Sequence, residues 1–599
     1  MRVLRVNAFT EPVGGSSIGN PKRKSGLEPV AEQEKTADFV DSWSSPGLWQ
    51  RMEPPVSKFS ARRSRQDAQE LAELYHGSAK DLRAAAATVD ELDLDTDLFD
   101  PGKVTSFDVR DMSRMGKRQE MRRVFRQFSI LSFTCVIMAT WEFLLTANTQ
   151  GLVDGGRAGL FWSYIWTIIG FGTIIASMAE MASMAPTSGG QYHWVSEFAP
   201  EKYQKFLSYT TGWLSAMSYQ AGNASGFFLA GTIIQCLAMI NYPSYSAPNW
   251  QSTICVLAVV VVSGVFNMWF SRFFPILNNI SMVLHITGFV AVVVVLWVLA
   301  PHPPASEVLL HFTNDGGWPT MGLALMVGQI SAIAALGCSD AAAHMSEEVS
   351  DAGLSVPRSM MWTFYINGST GLIFLVSILF AIPSVEDALN DPTGYPFLYI
   401  FQLAMPNSNV GTNILTVICV WCLMVGNISF TASCARQAWS LARDRGLPFS
   451  GWISRMNTKV HVPMNATILT LACTVLLSMI NLGSNAAFNA ILSLQLSSLM
   501  ASYAIAITCI LIRKLRDPES LPKARWSLGK MGLPLNFFAT GYAIFACFWT
   551  FWPNATPVDA ESFNWAPVIF IVVIIAAMIT YVVQGRHVYD GPVSLVKRL

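Results

Sequence analysis

Two carboxyl groups and one imidazole stand where ionisable side chains are costly. Glu142, Asp340 and His285 each lie within a long apolar run, and a charge at the centre of a membrane-spanning helix is tolerated only when it is paired or used. Glu142 follows the charged edge at Arg126 by about 15 residues. At about 1.5 Å per residue its carboxyl sits roughly 22 Å in, near the middle of a ~30 Å hydrocarbon core. Met138-Ala139-Thr140-Trp141-Glu142 interrupts one apolar run, and Gly337-Cys338-Ser339-Asp340 interrupts another five spans later. Helices broken in this way free main-chain N–H groups that attract a carboxylate and carbonyls that attract a cation. Two acids beside one titratable histidine favour a ligand that brings positive charge. An ammonium paired with Glu142 or Asp340 could also stack on Trp141. Structural roles stay open at the same positions: Asp340 as the N-cap of a second half-helix, Glu142 paired with His285, Trp141 as packing, His285 as a satisfied core histidine.

The elements that must hold these groups follow from composition. The chain has 599 residues, 52% hydrophobic and 13% charged, where soluble domains carry about 25% charged residues. Residues 1–110 contain 33 charged side chains and residues 111–599 contain 47. A polar tail over 1–110, expected to be disordered, therefore precedes a membrane body over 111–584 and a short tail over 585–599. Gln66 to Thr96 has the spacing of a short amphipathic helix. The first residues lack the apolar stretch of a secretory signal. Twelve apolar runs are centred near residues 140, 172, 222, 260, 288, 333, 370, 422, 472, 498, 543 and 573, predicting an all-α integral membrane protein.

Lys and Arg set its orientation. With the tail inside, 24 of the 25 basic residues of the body fall in inner segments and only Arg157 falls outside, which predicts that both termini are cytoplasmic. Asn554-Ala-Thr556 then lies in the last outer loop as a glycosylation acceptor. Net charge is zero, so no nucleic-acid partner is indicated. The ten cysteines all lie in apolar stretches; neither a disulfide framework nor a metal site is implied, even for the Cys419-x-x-Cys422 pair. H-E-x-x-H and G-x-S-x-G patterns are lacking, which argues against an enzyme.

Three motifs carry a resemblance. Glu180-Met-Ala-Ser-Met-Ala-Pro186-Thr-Ser-Gly189-Gly190-Gln191-Tyr192 follows the second span. Asp340-Ala-Ala-Ala-His344-Met-Ser-Glu347-Glu348 runs on to Pro357-Arg358, and Ala435-Arg436 runs on to Arg443-Asp444-Arg445-Gly446-Leu-Pro448 after the eighth span. In this order they resemble the amino acid–polyamine–organocation transporter superfamily, in its fungal GABA/choline permease branch, from Met115 to about Leu515. The resemblance implies a leucine-transporter-type five-plus-five inverted repeat with two further helices, and a substrate held between the broken first and sixth helices. The implied substrate residues are Ala139, Thr140, Trp141 and Glu142 with Gly337, Cys338, Ser339, Asp340 and Ala341. Asn223, Asn427 and Ser429 join them as polar residues at mid-depth. Where many members carry a glycine-rich triplet in the first helix this chain has Ala139-Thr140-Trp141, and Cys338 stands where glycine is expected.

His285 is similarly placed to a fifth-span lysine of proton-driven relatives, which implies that it changes charge during the cycle. Glu180, Glu347 and Glu348 facing Arg122, Arg123 and Arg358 are expected to form a cytoplasmic gate, or else to be solvated interface charges. The implied activity is secondary active transport of a small amine or amino acid such as GABA or choline, coupled to protons, in the plasma or vacuolar membrane. No cofactor is called for. A nutrient-sensing receptor of the same fold is the competing reading, and a polyamine or another amino acid the competing substrate.

Overall fold

The computed structural model describes residues 103–592 apart from 243, 246–247, 483–486, 560–562 and 590. The amphipathic stretch expected over 66–96 lies outside them. Among the described residues ten helices are long and apolar enough to cross a membrane, and two shorter apolar helices, Met321–Ala335 and Met464–Ser478, fall at the sixth and ninth positions. All twelve predicted runs are therefore helical. No strand forms among these residues; the backbone pairing outside helices is limited to isolated bridges such as Phe125 with Val349.

Burial sorts the spans. The apolar window of the first span is 83% buried, that of the twelfth only 11%, so the first is core and the twelfth is peripheral. The first span is two helices, Gln127–Met138 and Thr140–Thr146, with Ala139 between them at φ 40°, ψ 45°. The sixth is likewise broken: Ile330–Ala335, then Cys338 at φ 69°, then Ala341–His344. Both breaks thus place a residue with a Cβ in the left-handed region, where glycine is the usual choice. The sequence departed from glycine; the backbone did not.

Neighbouring spans hold the breaks open. Asn367 of the seventh span (Ala352–Phe380) accepts from the Thr140 N–H at 3.3 Å and donates to the Cys135 carbonyl at 3.3 Å, satisfying main-chain groups on both sides of the interruption. Thr140 Oγ1 donates to the Ala335 carbonyl at 2.8 Å, tying one break to the other. Glycines let the third span (Gln204–Asn241) approach the eighth (Asn409–Arg443) at Gly226 and the eighth approach the first at Gly426, as expected where lipid offers no hydrophobic drive to association. A Cβ on Gly426 would stand 2.8 Å from the Val136 carbonyl. Because that atom is backbone, Gly426→Ala is expected to lower stability by about 1–3 kcal/mol, read as a drop in Tm in detergent.

Left-handed residues with a Cβ cost about 1–2 kcal/mol each, while glycine loses about 0.5–1 kcal/mol more on folding. Ala139→Gly and Cys338→Gly should therefore shift stability by less than about 1 kcal/mol, whereas Ala139→Val should cost about 2 kcal/mol or more. A thermal melt of the three proteins checks the order.

Two expected boundaries move. A helix over Ser106–Arg114, closed by a Thr105/Asp108 capping box, straddles the boundary set at 110. Asp108 is buried and accepts from the Asp351 and Ala352 N–H groups, so this end of the polar segment docks on the body. At the other end Tyr589, placed in the short tail, is buried against Tyr209 and shares a hydrogen bond with Ser208.

Candidate functional site

The two breaks enclose a cavity of about 60 Å³. Ala139, Phe143, Gly337 and Cys338 line it from the broken helices; Ser225 and Gly226 from the third span; Asn427 and Phe430 from the eighth; Gln495 from the tenth. Asn427 donates to the Gly226 carbonyl at 2.8 Å. Ser225 Oγ donates to Gln495 Oε1 at 3.0 Å, and Gln495 Nε2 reaches Cys338 Sγ at 3.7 Å. The lining contains no charged side chain. It offers two carboxamides, a hydroxyl, a thiol and the aromatic rings of Phe143 and Phe430.

Four of the expected substrate residues, Ala139, Gly337, Cys338 and Asn427, are on this wall. The others sit elsewhere. Residues follow one another by about 100° around a helix, so Ala139 and Phe143 share the cavity face while Trp141 points away. Trp141 is buried between His285 and Phe374, at ring-centroid distances of 6.0 and 5.7 Å, and its Nε1 donates to the His285 carbonyl at 3.2 Å. It packs; it does not line the cavity. Thr140 is taken up by the ties described above, and Ser339 Oγ reaches Met138 Sδ at 3.3 Å. Asn223 bridges Thr474 and Thr431 at 2.8 and 3.0 Å, and Ser429 donates to Asn278 at 2.9 Å; both are struts between spans. Ala341 opens the last half of the sixth span, its carbonyl accepting from Ser433.

Glu142 lies behind the cavity wall with its partner. Its Oε1 is 2.7 Å from His285 Nδ1, and both residues are at most 1% exposed. A contact this short holds one proton between the two atoms, on whichever side it resides. The Glu142 carboxyl also acts on Cys419 and Cys422 of the eighth span. Asp340 lies below the cavity. It occupies the N-cap position but its side chain makes no cap hydrogen bond; it accepts instead from Gln191 Nε2 of the Gln191–Phe198 helix.

The face of the bundle carrying Arg123, Arg436 and Arg443, here the basic face, is closed by ion pairs that differ from the expected ones. Glu347 takes both terminal nitrogens of Arg443, at 2.9 and 2.8 Å. Glu348 takes Arg436 Nε at 2.7 Å. Arg123 pairs with Asp108 at 3.1 Å and donates to the Ser346 and Val349 carbonyls. Arg122 and Arg358 are not partners of Glu347 or Glu348, and Arg358 is exposed. Glu180 binds Lys514, Ser527 and the Leu528 N–H, clamping the end of the tenth span. The eighth-span motif therefore supplies the cations: Arg436 and Arg443 are seven residues apart, two helical turns on one face. Burial pushes the Glu347 carboxyl up, but Arg443 and Lys117 outweigh it and hold the group below the usual carboxylate range.

Near the opposite face lies a larger cavity of about 500 Å³, lined by Thr146, Gln150, Thr232, Gln235, Ser331 and Tyr395 among others. Asn554 is on its wall, its carbonyl accepting from Gln150. Among the described residues no group of three or more His, Cys, Asp and Glu could hold a metal ion.

Comparison with known proteins identifies the family. A Macrophomina phaseolina protein assigned as an amino acid/polyamine transporter is 30% identical over 73% of this chain and 96% of its own length. The choline transporter of Saccharomyces cerevisiae is 26% identical over 75% of this chain and 79% of its own. Amino-acid permease 2 of Neurospora crassa is 26% identical over 81% and 88%. Residues 125–575 match the amino acid permease family, and the chain belongs to that family: it is a multi-pass membrane transporter.

Proposed function

We propose that this protein is a proton-coupled carrier of a small amine or amino acid, with GABA and choline as the leading candidates, working by alternating access around its first and sixth helices. The observation that carries the reading is the cavity enclosed by the two breaks, small and lined by uncharged groups. A solute there meets carboxamides, main-chain dipoles and aromatic rings rather than a countercharge. Phe143 and Phe430, in place of Trp141, would take the cationic end of an ammonium ligand, by an attraction of about 0.5–2 kcal/mol each. Asn427 and Gln495 suit its hydroxyl or carboxylate end.

The larger cavity would be the entry vestibule, and the ion-paired basic face the closed exit. The Lys and Arg excess supports placing the basic face, and both termini, in the cytoplasm, in the plasma membrane or the vacuolar membrane. Asn554 would then face the outer aqueous side as the glycan acceptor. Glu142 and His285 would carry the coupling proton: a 2.7 Å contact joins them, and the pair is buried within reach of no other charge among its hydrogen-bond partners.

Purified protein in vesicles, offered GABA, choline, polyamines and standard amino acids with and without an inward proton gradient, tests the proposal. Gradient-dependent accumulation of one small amine or amino acid is expected. Binding without accumulation would replace the carrier with a sensor, and accumulation driven only by sodium would remove the proton.

A further inference from the structure

A second carboxylate–imidazole pair lies on the other side of the cavity. His344 is fully buried in the last half of the sixth span, and its Nδ1 donates to the Ser188 carbonyl at 2.9 Å. With that proton fixed on Nδ1, the neutral ring presents a bare lone pair at Nε2. Nε2 is buried without a hydrogen-bond partner, 3.9 Å from Asp340 Oδ2. Two acceptors thus face each other across a gap that a proton, and only a small movement, would turn into a hydrogen bond.

The surroundings connect this pair to both ends of the pathway. Tyr219 of the third span sets its ring edge against His344, at 4.5 Å between centroids, and stacks on Phe430 of the cavity wall at 5.1 Å. Gln191 donates to the Asp340 carboxyl, and that carboxyl acts in turn on Tyr219, Tyr503 of the tenth span and Cys338. On the side towards the basic face the contacts belong to the turn at 187–191. Gly190 there is left-handed, and a Cβ on it would meet His344 Cε1 at 2.8 Å. The Ser188 N–H reaches Glu347 Oε1, the same carboxylate that holds Arg443. Asp340 is the charged group that acts on His344.

We propose that Asp340 and His344 form a second proton-binding site, distinct from Glu142–His285, whose occupancy latches the 187–191 turn beneath the sixth span and holds the basic face shut. When the proton is present, Nε2 and Oδ2 share it and His344 clamps Ser188 to the sixth span. When it leaves, the carboxylate faces the ring's lone pair, the two repel, and the turn loosens together with the Glu347 contact. The role in a transport cycle rests on the carrier reading above; the latch itself does not.

Hydrogen exchange on the full-length protein in detergent, without substrate, separates the two. Protection factors, corrected for intrinsic rates, are followed for residues 185–200 between pH 4.5 and 7. The wild type is expected to lose at least about tenfold protection as pH rises, one tenfold step being about 1.4 kcal/mol of latch free energy. His344→Asn keeps an N–H for Ser188 but cannot titrate, and Asp340→Asn removes the anion; both should give flat profiles. His285→Gln should keep the wild-type profile in this segment. A wild-type segment with flat protection, or a His344→Asn protein that retains the pH dependence, overturns the latch. Failure of uptake in vesicles with the exchange profile intact overturns the carrier reading instead.

Discussion

Glu142→Gln and His285→Gln proteins, reconstituted in vesicles, should equilibrate the substrate without concentrating it. A one-unit pH gradient supports about tenfold accumulation for each coupled proton, since one pK unit is worth about 1.36 kcal/mol. In the proposed mechanism that proton would be held at the 2.7 Å contact between Oε1 and Nδ1, in a site 0–1% exposed. A glutamine at either position fills the space and keeps a hydrogen bond but cannot exchange the proton. Accumulation should therefore fall from about tenfold to about one, while counterflow of labelled substrate persists. Retained counterflow separates loss of coupling from loss of folding. Tenfold accumulation in either variant would move the coupling site elsewhere.

The second large effect concerns the basic face. Glu347→Gln leaves the half-buried Arg443 guanidinium without its bidentate carboxylate, a change that costs up to about 3–5 kcal/mol. In the alternating-access reading proposed above the pair would exist only while that face is shut, so the cost would fall on the shut state. Glu347→Gln should therefore shift the population towards the state open at the basic face, slow net uptake by at least about tenfold, and lower Tm. The exchange Glu347→Arg with Arg443→Glu should recover part of both if the pair itself matters; no recovery would assign the effect to general packing.

The pH dependence has a definite sign. Glu347 and Asp444 are both held below their ordinary values of 4.5 and 3.8, burial being outweighed by Arg443 and Lys117. A depressed carboxylate contributes stability above its unfolded value that is lost as pH falls through the folded one. These pairs should therefore stay charged between pH 5 and 7 and weaken on the acid side below about pH 4.5. A melt that is flat between pH 5 and 7 and falls steeply under pH 4.5 is expected. An ordinary proton gradient thus leaves the ion pairs untouched, and any response of this face to mild acid must come from a group that titrates more readily.

Much of this was legible in the chain alone, and the reasons are physical. Twelve spans follow from run length, because a helix that crosses lipid must be apolar for about 20 residues. Glu142 and His285 announced themselves because buried ionisable groups are rare in such runs. The breaks were legible as polar interruptions, but their phase was not. Which face of the half-helix meets the cavity depends on the left-handed turn at Ala139, and that choice sent Trp141 to the packing side and Phe143 to the wall. Phe143 and Phe430 carried no signal, being phenylalanines among many. Asn367 was one asparagine among several in the spans, and only its contacts with Thr140 and Cys135 mark it. The basic-face charges were identified by type but paired wrongly, since Glu347 and Arg443 are separated by 96 residues and nothing local joins them.

The roomy chamber near the face opposite the arginines is walled by hydroxyls, carboxamides and apolar groups, with no formal charge on it. Carboxylates nevertheless stand directly behind that wall: Asp391 accepts from the Thr393 N–H and Asp154 from Gln150. A cationic solute would therefore be drawn to its mouth by the summed field. Raising ionic strength, which screens exposed charges over about 8–10 Å, should accordingly raise the apparent KM for a cation. Such a carrier would feed better in fresh water than in brine.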